Sequence, residues 1–198
     1  MGTDRLGRAF FIRPTEVVAE ELIGCSVFRR TDDGLVGGVI VETEAYGGAE
    51  DAASHAAIYP RSRASVMASA PGTVYVYRSY GIHCCLNIVS KPLDSVGAVL
   101  LRAVEPTTGL ELMRARRPGR ADRDLCRGPG RVCRALGITL ADAMIDVVAH
   151  GDLWIEPSEK TLCVSATPRV GITRAVDVPW RFAAAGSPFV SAMRTVPA

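Results

Sequence analysis

The chain has 198 residues, 48% of them hydrophobic and 22% charged, with a formal net charge of +2. That length fits one globular domain, the composition supports a packed core, and wholesale disorder and a strongly charged polyelectrolyte are both excluded. The longest apolar runs, such as residues 141–149, are too short and too interrupted by charge to cross a bilayer, and the N-terminal stretch with Asp4, Arg5, Arg8 and Arg13 has no apolar segment of a secretion signal, so a cytoplasmic protein with no membrane role is expected.

In chain order, the first element is a helix over residues 15–23, with Thr15 as its N-cap, Val17, Val18, Leu22 and Ile23 as its apolar side and Gly24 as its stop. Residues 25–30 and 38–46 read as two strands joined across Asp32-Asp33-Gly34. Residues 47–71, rich in Gly, Ala, Ser and Pro, form a long connection of the kind that carries function. Two further strands, 73–79 and 82–90, flank a tight turn at Ser79-Tyr80-Gly81, and 96–105 is another β-rich run. Helices follow at 109–117 and 131–136, broken apart by Gly128-Pro129-Gly130. Short strands near 152–156, 163–170 and 180–184 close the chain. The fold class expected is α+β: one domain with a mixed or antiparallel sheet, flanking helices and a protruding hairpin.

Charge is unevenly placed. Residues 114–134 hold eight basic side chains, all Arg, and two acidic ones, while the segments on either side are net acidic. Such a band suits a phosphate-tracking surface or a solvated helical face. The six cysteines form no Cys-x-x-Cys pair and read as buried free thiols. Cys126 and Cys133 have the spacing that opens an iron–sulfur ligand set, but no closing pair follows. His55, His83 and His150 form no His-x-x-x-His pair. No metal and no cofactor are expected.

Two clusters carry candidate chemistry. In Val41-Glu42-Thr43-Glu44-Ala45-Tyr46, strand alternation sends Glu42, Glu44 and Tyr46 to one face. Two carboxylates and a phenol there suit acid–base work, or else form an exposed polar face. In residues 71–81, three of the chain's five tyrosines fall within six residues. Tyr75 and Tyr77 share a face, and Tyr80 stands at the hairpin tip, well placed to wedge between base pairs. Alternating Val and Tyr is also ordinary strand composition.

Taken together, these segments resemble the alkyladenine (3-methylpurine) DNA glycosylase family. The resemblance runs through the Glu42–Tyr46 segment, His55, Pro71-Gly72-Thr73, Tyr75-Val76-Tyr77, Tyr80-Gly81 and Asn87. It continues through Val99-Leu100-Leu101-Arg102-Ala103, Glu105-Pro106, Leu125-Cys126, Gly128-Pro129, Arg169-Val170-Gly171 and Arg181-Phe182. Gly186-Ser187-Pro188 and Val190-Ser191 complete blocks that keep the family order over roughly residues 9–194.

The resemblance implies a monofunctional enzyme that flips a damaged purine out of double-stranded DNA and hydrolyses its N-glycosidic bond, working as a monomer. Glu44 would be the general base, and Arg102 and the backbone carbonyl of Val170 would help hold the attacking water. Tyr46, His55 and Tyr77 would line the base pocket and Asn87 would border it. Tyr80 would intercalate, with Met67 and Leu100 beside it. Five positions depart from the family pattern: Arg61, Ser62 and Ala64, where the family commonly has Thr-Pro-Arg-Asn and only Arg63 matches, and Ala68 and Cys84, where the family has aromatics. Only Lys91 and Lys160 could supply an amine nucleophile, and neither lies in a matched segment, which favours water over a Schiff base.

Overall fold

The structure is a computed structural model describing residues 5–149, 151–159 and 161–191; residues 1–4, His150, Lys160 and residues 192–198 lie outside that set. The central element is a long strand, β2 (Gly34–Tyr46), paired antiparallel on one side with β5 (Ala98–Thr108). Its other edge is shared: β1 (Ser26–Thr31) pairs with residues 34–39, and β8 (Arg181–Ala184) pairs with residues 42–44. The hairpin of β3 (Val74–Ser79) and β4 (His83–Val89) extends the sheet beyond β5, while β6 (Leu153–Glu156) and β7 (Val164–Thr167) border β1 and β8. Every one of these pairings is antiparallel, so the α+β expectation holds with an antiparallel rather than a mixed sheet.

Strand β2 begins four residues earlier than expected, because residues 34–37, including Gly37, are strand residues. Gly38 is needed there: a Cβ would lie 2.0 Å from the Glu105 carbonyl oxygen. The β2–β5 register shifts at this point and again around Glu42, and such irregularities re-aim side chains.

Helix α1 (Arg8–Phe11) precedes α2 (Thr15–Glu21). Pro14 takes the N-cap position expected of Thr15, whose hydroxyl instead donates to the Ser90 carbonyl at 2.5 Å. Val18, Ala19 and Leu22 are buried, and the Thr43 hydroxyl donates to the Ala19 carbonyl at 2.6 Å. Thr43 thus turns towards α2, and strand alternation turns its neighbours Glu42 and Glu44 to the other face.

The long connection is not structureless. It contains α3 (His55–Ile58), capped by the Ser54 side chain, and α4 (Ala64–Met67). After β5 come α5 (Leu110–Arg116) and α6 (Pro129–Leu136). Pro129 starts α6 rather than breaking the chain, since a first-turn proline gives up an amide that has no helical partner. Buried Val132, Cys133, Ala135 and Leu136 join α6 to the main core. A separate small cluster of Ala56, Met67, Tyr75 and Ala98, with Tyr46 and Tyr77 packed against it, supports the aromatic region. No helix among the described residues is long and apolar enough to cross a membrane.

Candidate active site

Glu42 and Glu44 are both fully buried, which rules out an exposed strand face. Arg102, opposite them on β5, joins the two: its Nε donates to Glu42 Oε1 at 3.0 Å and its Nη1 to Glu44 Oε2 at 3.2 Å. Glu42 also accepts from Arg181 Nε at 2.7 Å, the Ser191 amide at 2.7 Å and the Ser191 hydroxyl at 2.8 Å. Burial alone would raise its pKa, but the charges of Arg102 and Arg181 outweigh burial and hold it below the usual glutamate value. Glu42 is thus favoured as the anion.

Glu44 differs. Burial dominates and raises its pKa, opposed by Arg102, the Val170 amide and the Tyr46 hydroxyl. The Val170 N–H donates to Oε1 at 2.7 Å, and the Tyr46 hydroxyl donates to Oε2 at 2.8 Å. A carboxylate offers about four acceptor positions; with Arg102 on Oε2 as well, the open one is on Oε1, on the Val170 side. The tie between Val170 and Glu44 is made by the amide, whereas the sequence pointed to the carbonyl. Two neighbouring carboxylates with pKa values pushed apart form the pattern of a supporting anion beside an acid–base group.

Above Glu44 lies a cavity of about 770 Å³ whose walls include Tyr46, His55, Tyr77, Asn87, Leu100 and Arg102. Glu44 itself sits behind Tyr46 and Arg102. Tyr46 is backed by Arg169, whose guanidinium carbon is 4.8 Å from the ring centre. Arg169 is in turn clamped by both oxygens of Asp51, at 2.6 and 2.8 Å, and donates to the Ala45 carbonyl. His55 meets Tyr77 edge to face, with ring centres 4.4 Å apart, and its Nδ1 is 3.0 Å from the Tyr75 hydroxyl. Burial first, then Arg63, lowers the His55 pKa to about 4, so the ring is neutral at neutral pH. The Asn87 amide nitrogen donates to the carbonyls of Tyr75 and Cys85, at 3.0 and 3.2 Å, leaving its side-chain oxygen as the group it can offer.

The hairpin tip stands at the cavity rim. Tyr80 is 92% exposed and Ile82 72%. Tyr80 and Gly81 have φ of 49° and 73°, and the Ile82 amide closes the turn on the Ser79 carbonyl. Positive φ at both central residues is what a tight hairpin turn asks for, though it suits Gly81 and not Tyr80. Met67 and Leu100, matched to positions beside the intercalating tyrosine, are only 1% and 4% exposed. Met67 fills the small core cluster and Leu100 is paired with strands on both sides, so both form cavity wall and present no surface at the tip. Ile82 is the apolar side chain beside Tyr80, and the sequence reading passed over it.

The arginine band is mostly engaged within the protein. Arg114 pairs with Asp122 and Glu111, and Arg116 donates to the Ala135 carbonyl, Thr31 and Asp33. Arg117 donates to the carbonyls of Asp124 and Leu125, and Arg134 to that of Arg116. Asp51, Arg169, Arg181 and Ser191 were not singled out as functional by sequence reasoning. The contacts that matter at the site, Asp51 with Arg169, Arg181 with Glu42 and Ser191 with Glu42, each join residues more than 100 positions apart. Among the described residues no group of three or more His, Cys, Asp or Glu side chains is arranged to share a metal ion.

A buried carboxylate beneath an aromatic cavity, beside an exposed aromatic hairpin tip, suits a base-flipping enzyme, and the family the chain matches makes that class a DNA glycosylase of base excision repair. The methylpurine-DNA glycosylase family model matches residues 9–188, and the chain belongs to that family. A protein of Granulibacter bethesdensis is 48% identical over 191 residues, covering 94% of this chain and 87% of its own length. A protein of Rhodopseudomonas palustris is 47% identical over 186 residues with the same coverage, and one of Chlorobium luteolum is 42% identical with 94% and 96% covered. Each carries the name "Putative 3-methyladenine DNA glycosylase".

Proposed function

We propose that the protein excises alkylated purines, and deaminated ones such as hypoxanthine, from duplex DNA by base flipping and direct hydrolysis, acting as a single-domain monomer. The observation that carries this reading is the open acceptor position on Glu44 Oε1 beside Val170, on a carboxylate whose pKa is raised. A water held there gives its proton to Glu44 as its oxygen bonds to C1′. The glycosidic electron pair leaves with the base, and an abasic sugar remains. In a purine alkylated at N3 or N7 that pair quenches the positive charge, so the base departs readily. A general base contributes roughly 10²–10⁴-fold, and a neutral base depends on it more.

Tyr46, His55 and Tyr77 supply the stacking surface for the flipped base, with stacking worth about 1–3 kcal/mol per base. Asn87, tied to two carbonyls through its amide nitrogen, borders the base site and rejects a purine carrying an extra exocyclic amine by steric contact. Tyr80, assisted by Ile82, fills the gap left in the duplex. Glu42 and the Ser191 hydroxyl, which accept from Arg102, hold that arginine and so position Glu44, while Arg181 anchors Glu42. The retained Glu44 and Arg102 argue against a silent DNA-binding domain on the same scaffold. Lys91 is buried and lies outside the cavity wall, which supports hydrolysis without a covalent intermediate.

The test is release of free base from duplexes carrying 3-methyladenine, 7-methylguanine, hypoxanthine or ethenoadenine, run with and without sodium borohydride. Base release that leaves abasic DNA and no trapped adduct is expected. A borohydride-trapped protein–DNA adduct overturns the hydrolytic mechanism, and no release from any duplex overturns the whole reading.

A further inference from the structure

Arg63 introduces a positive charge into the cavity and has no carboxylate to balance it. Its guanidinium carbon lies 4.5 Å from the Tyr59 ring centre and 5.4 Å from that of Tyr77. Its Nη1 is 3.1 Å from His55 Nε2 and 3.4 Å from Nδ1. It makes no ion pair among the described residues, and no Asp or Glu lines the cavity wall. Arg102, which lines the same cavity along with Arg78 and Arg174, is balanced by Glu42 and Glu44; of these four arginines only Arg63 lies over the Tyr59 and Tyr77 rings. The backbone fixes where Arg63 starts, since its amide donates to the Tyr59 carbonyl just before α4.

An arginine over aromatic faces occupies the position a cationic ligand would take, because both draw on the same ring quadrupole. We infer that Arg63 is a specificity-determining residue: it fills the cationic position of the aromatic pocket, so neutral damaged purines bind beside it while positively charged N-alkylated purines must displace it. This inference rests on the pocket being the base site. A neutral purine with an acceptor at its edge can take a hydrogen bond from the guanidinium. A cationic purine has two costs: loss of the contacts Arg63 makes with Tyr59 and Tyr77, and repulsion between like charges in a water-poor site. Arg63 therefore lowers activity on the charged bases.

The experiment compares the wild-type protein with Arg63→Gln and Arg63→Ala in single-turnover release of 7-methylguanine and of hypoxanthine from duplex DNA. The expected result is a rise of about tenfold in kcat/KM for 7-methylguanine, the scale of one cation–π contact, with no rise for hypoxanthine. NMR titration of His55 supplies a readout independent of excision: its pKa should move up from about 4 in both variants. A damaged fold cannot produce a selective gain. An unchanged or lowered rate on 7-methylguanine overturns the inference, as does an equal change on both bases, which would assign Arg63 to DNA backbone contact. If the wild-type protein releases neither base, the parent reading fails instead.

Discussion

Glu42 and Glu44 stand two residues apart on one strand face, yet their pKa values are pushed in opposite directions. Both are bound to Arg102. Glu42 adds a second arginine and two donors from Ser191, which lower its pKa; Glu44 has a single charged partner and its pKa is raised. The same residue type on the same face thus gives one structural anion and one group poised to accept a proton.

Glutamine substitutions separate these roles. Glu44→Gln should slow single-turnover excision of hypoxanthine by roughly 10²–10⁴-fold while leaving affinity for lesion DNA intact. Glu42→Gln leaves Arg181 and Arg102 undercompensated in the interior, and losing one partner of a buried pair costs about 3–5 kcal/mol. Its main effect should therefore be a lowered Tm. Thermal denaturation beside burst kinetics decides the matter: near wild-type excision by Glu44→Gln together with a stable but inactive Glu42→Gln would exchange the two assignments.

The pH dependence has two parts. Because the Glu44 pKa is raised above the ordinary 4.5, its base form is lost as pH falls through that raised value. Excision of a neutral base should thus decline on acidification before an ordinary glutamate would titrate. His55 makes one contribution to the pH dependence of stability: its pKa falls from 6.5 to about 4 on folding. Between those values the unfolded chain binds a proton that the folded protein refuses, so stability is full above 6.5 and is lost as pH falls towards 4. Glu44 contributes with the opposite sign, so the measurement is the difference between wild type and His55→Gln across that window. No difference in slope would mean that His55 titrates normally.

Tyr80→Ala should weaken lesion-DNA binding by about 1–3 kcal/mol, the worth of one stacking contact, without lowering Tm, because the side chain is 92% exposed. Excision from mismatched duplexes should suffer less, since less unstacking is needed. Equal losses on all substrates, or a fallen Tm, would give Tyr80 a structural role instead.

Binding to abasic-site DNA should weaken steeply with salt as counterions are released. Arg78, exposed on β3 two residues before Tyr80, is placed to meet a phosphate, and Arg78→Ala should reduce the salt slope by about 1. Arg114 is already balanced by Asp122 and Glu111, so Arg114→Ala should leave the slope unchanged. The reverse pattern would move the DNA path onto the arginine band.

Local periodicity carried much of this protein. Alternation alone put Glu42, Glu44 and Tyr46 on one face, and the Tyr80-Gly81 pair alone marked the hairpin tip, because both are decided by neighbours within a few residues. Ordered motifs over most of the chain were enough to identify the family. The sequence could not say which glutamate has its pKa lowered and which raised. That depends on Val170, Arg181 and Ser191, which reach the two carboxylates across 126, 139 and 149 residues, and burial and pairing of charges are properties of the closed fold. Met67 and Leu100 show the same limit, since only packing decides whether an apolar side chain becomes wall or exposed wedge. The unbalanced charge of Arg63 among the pocket rings likewise exists only once α3, α4 and the hairpin are brought together.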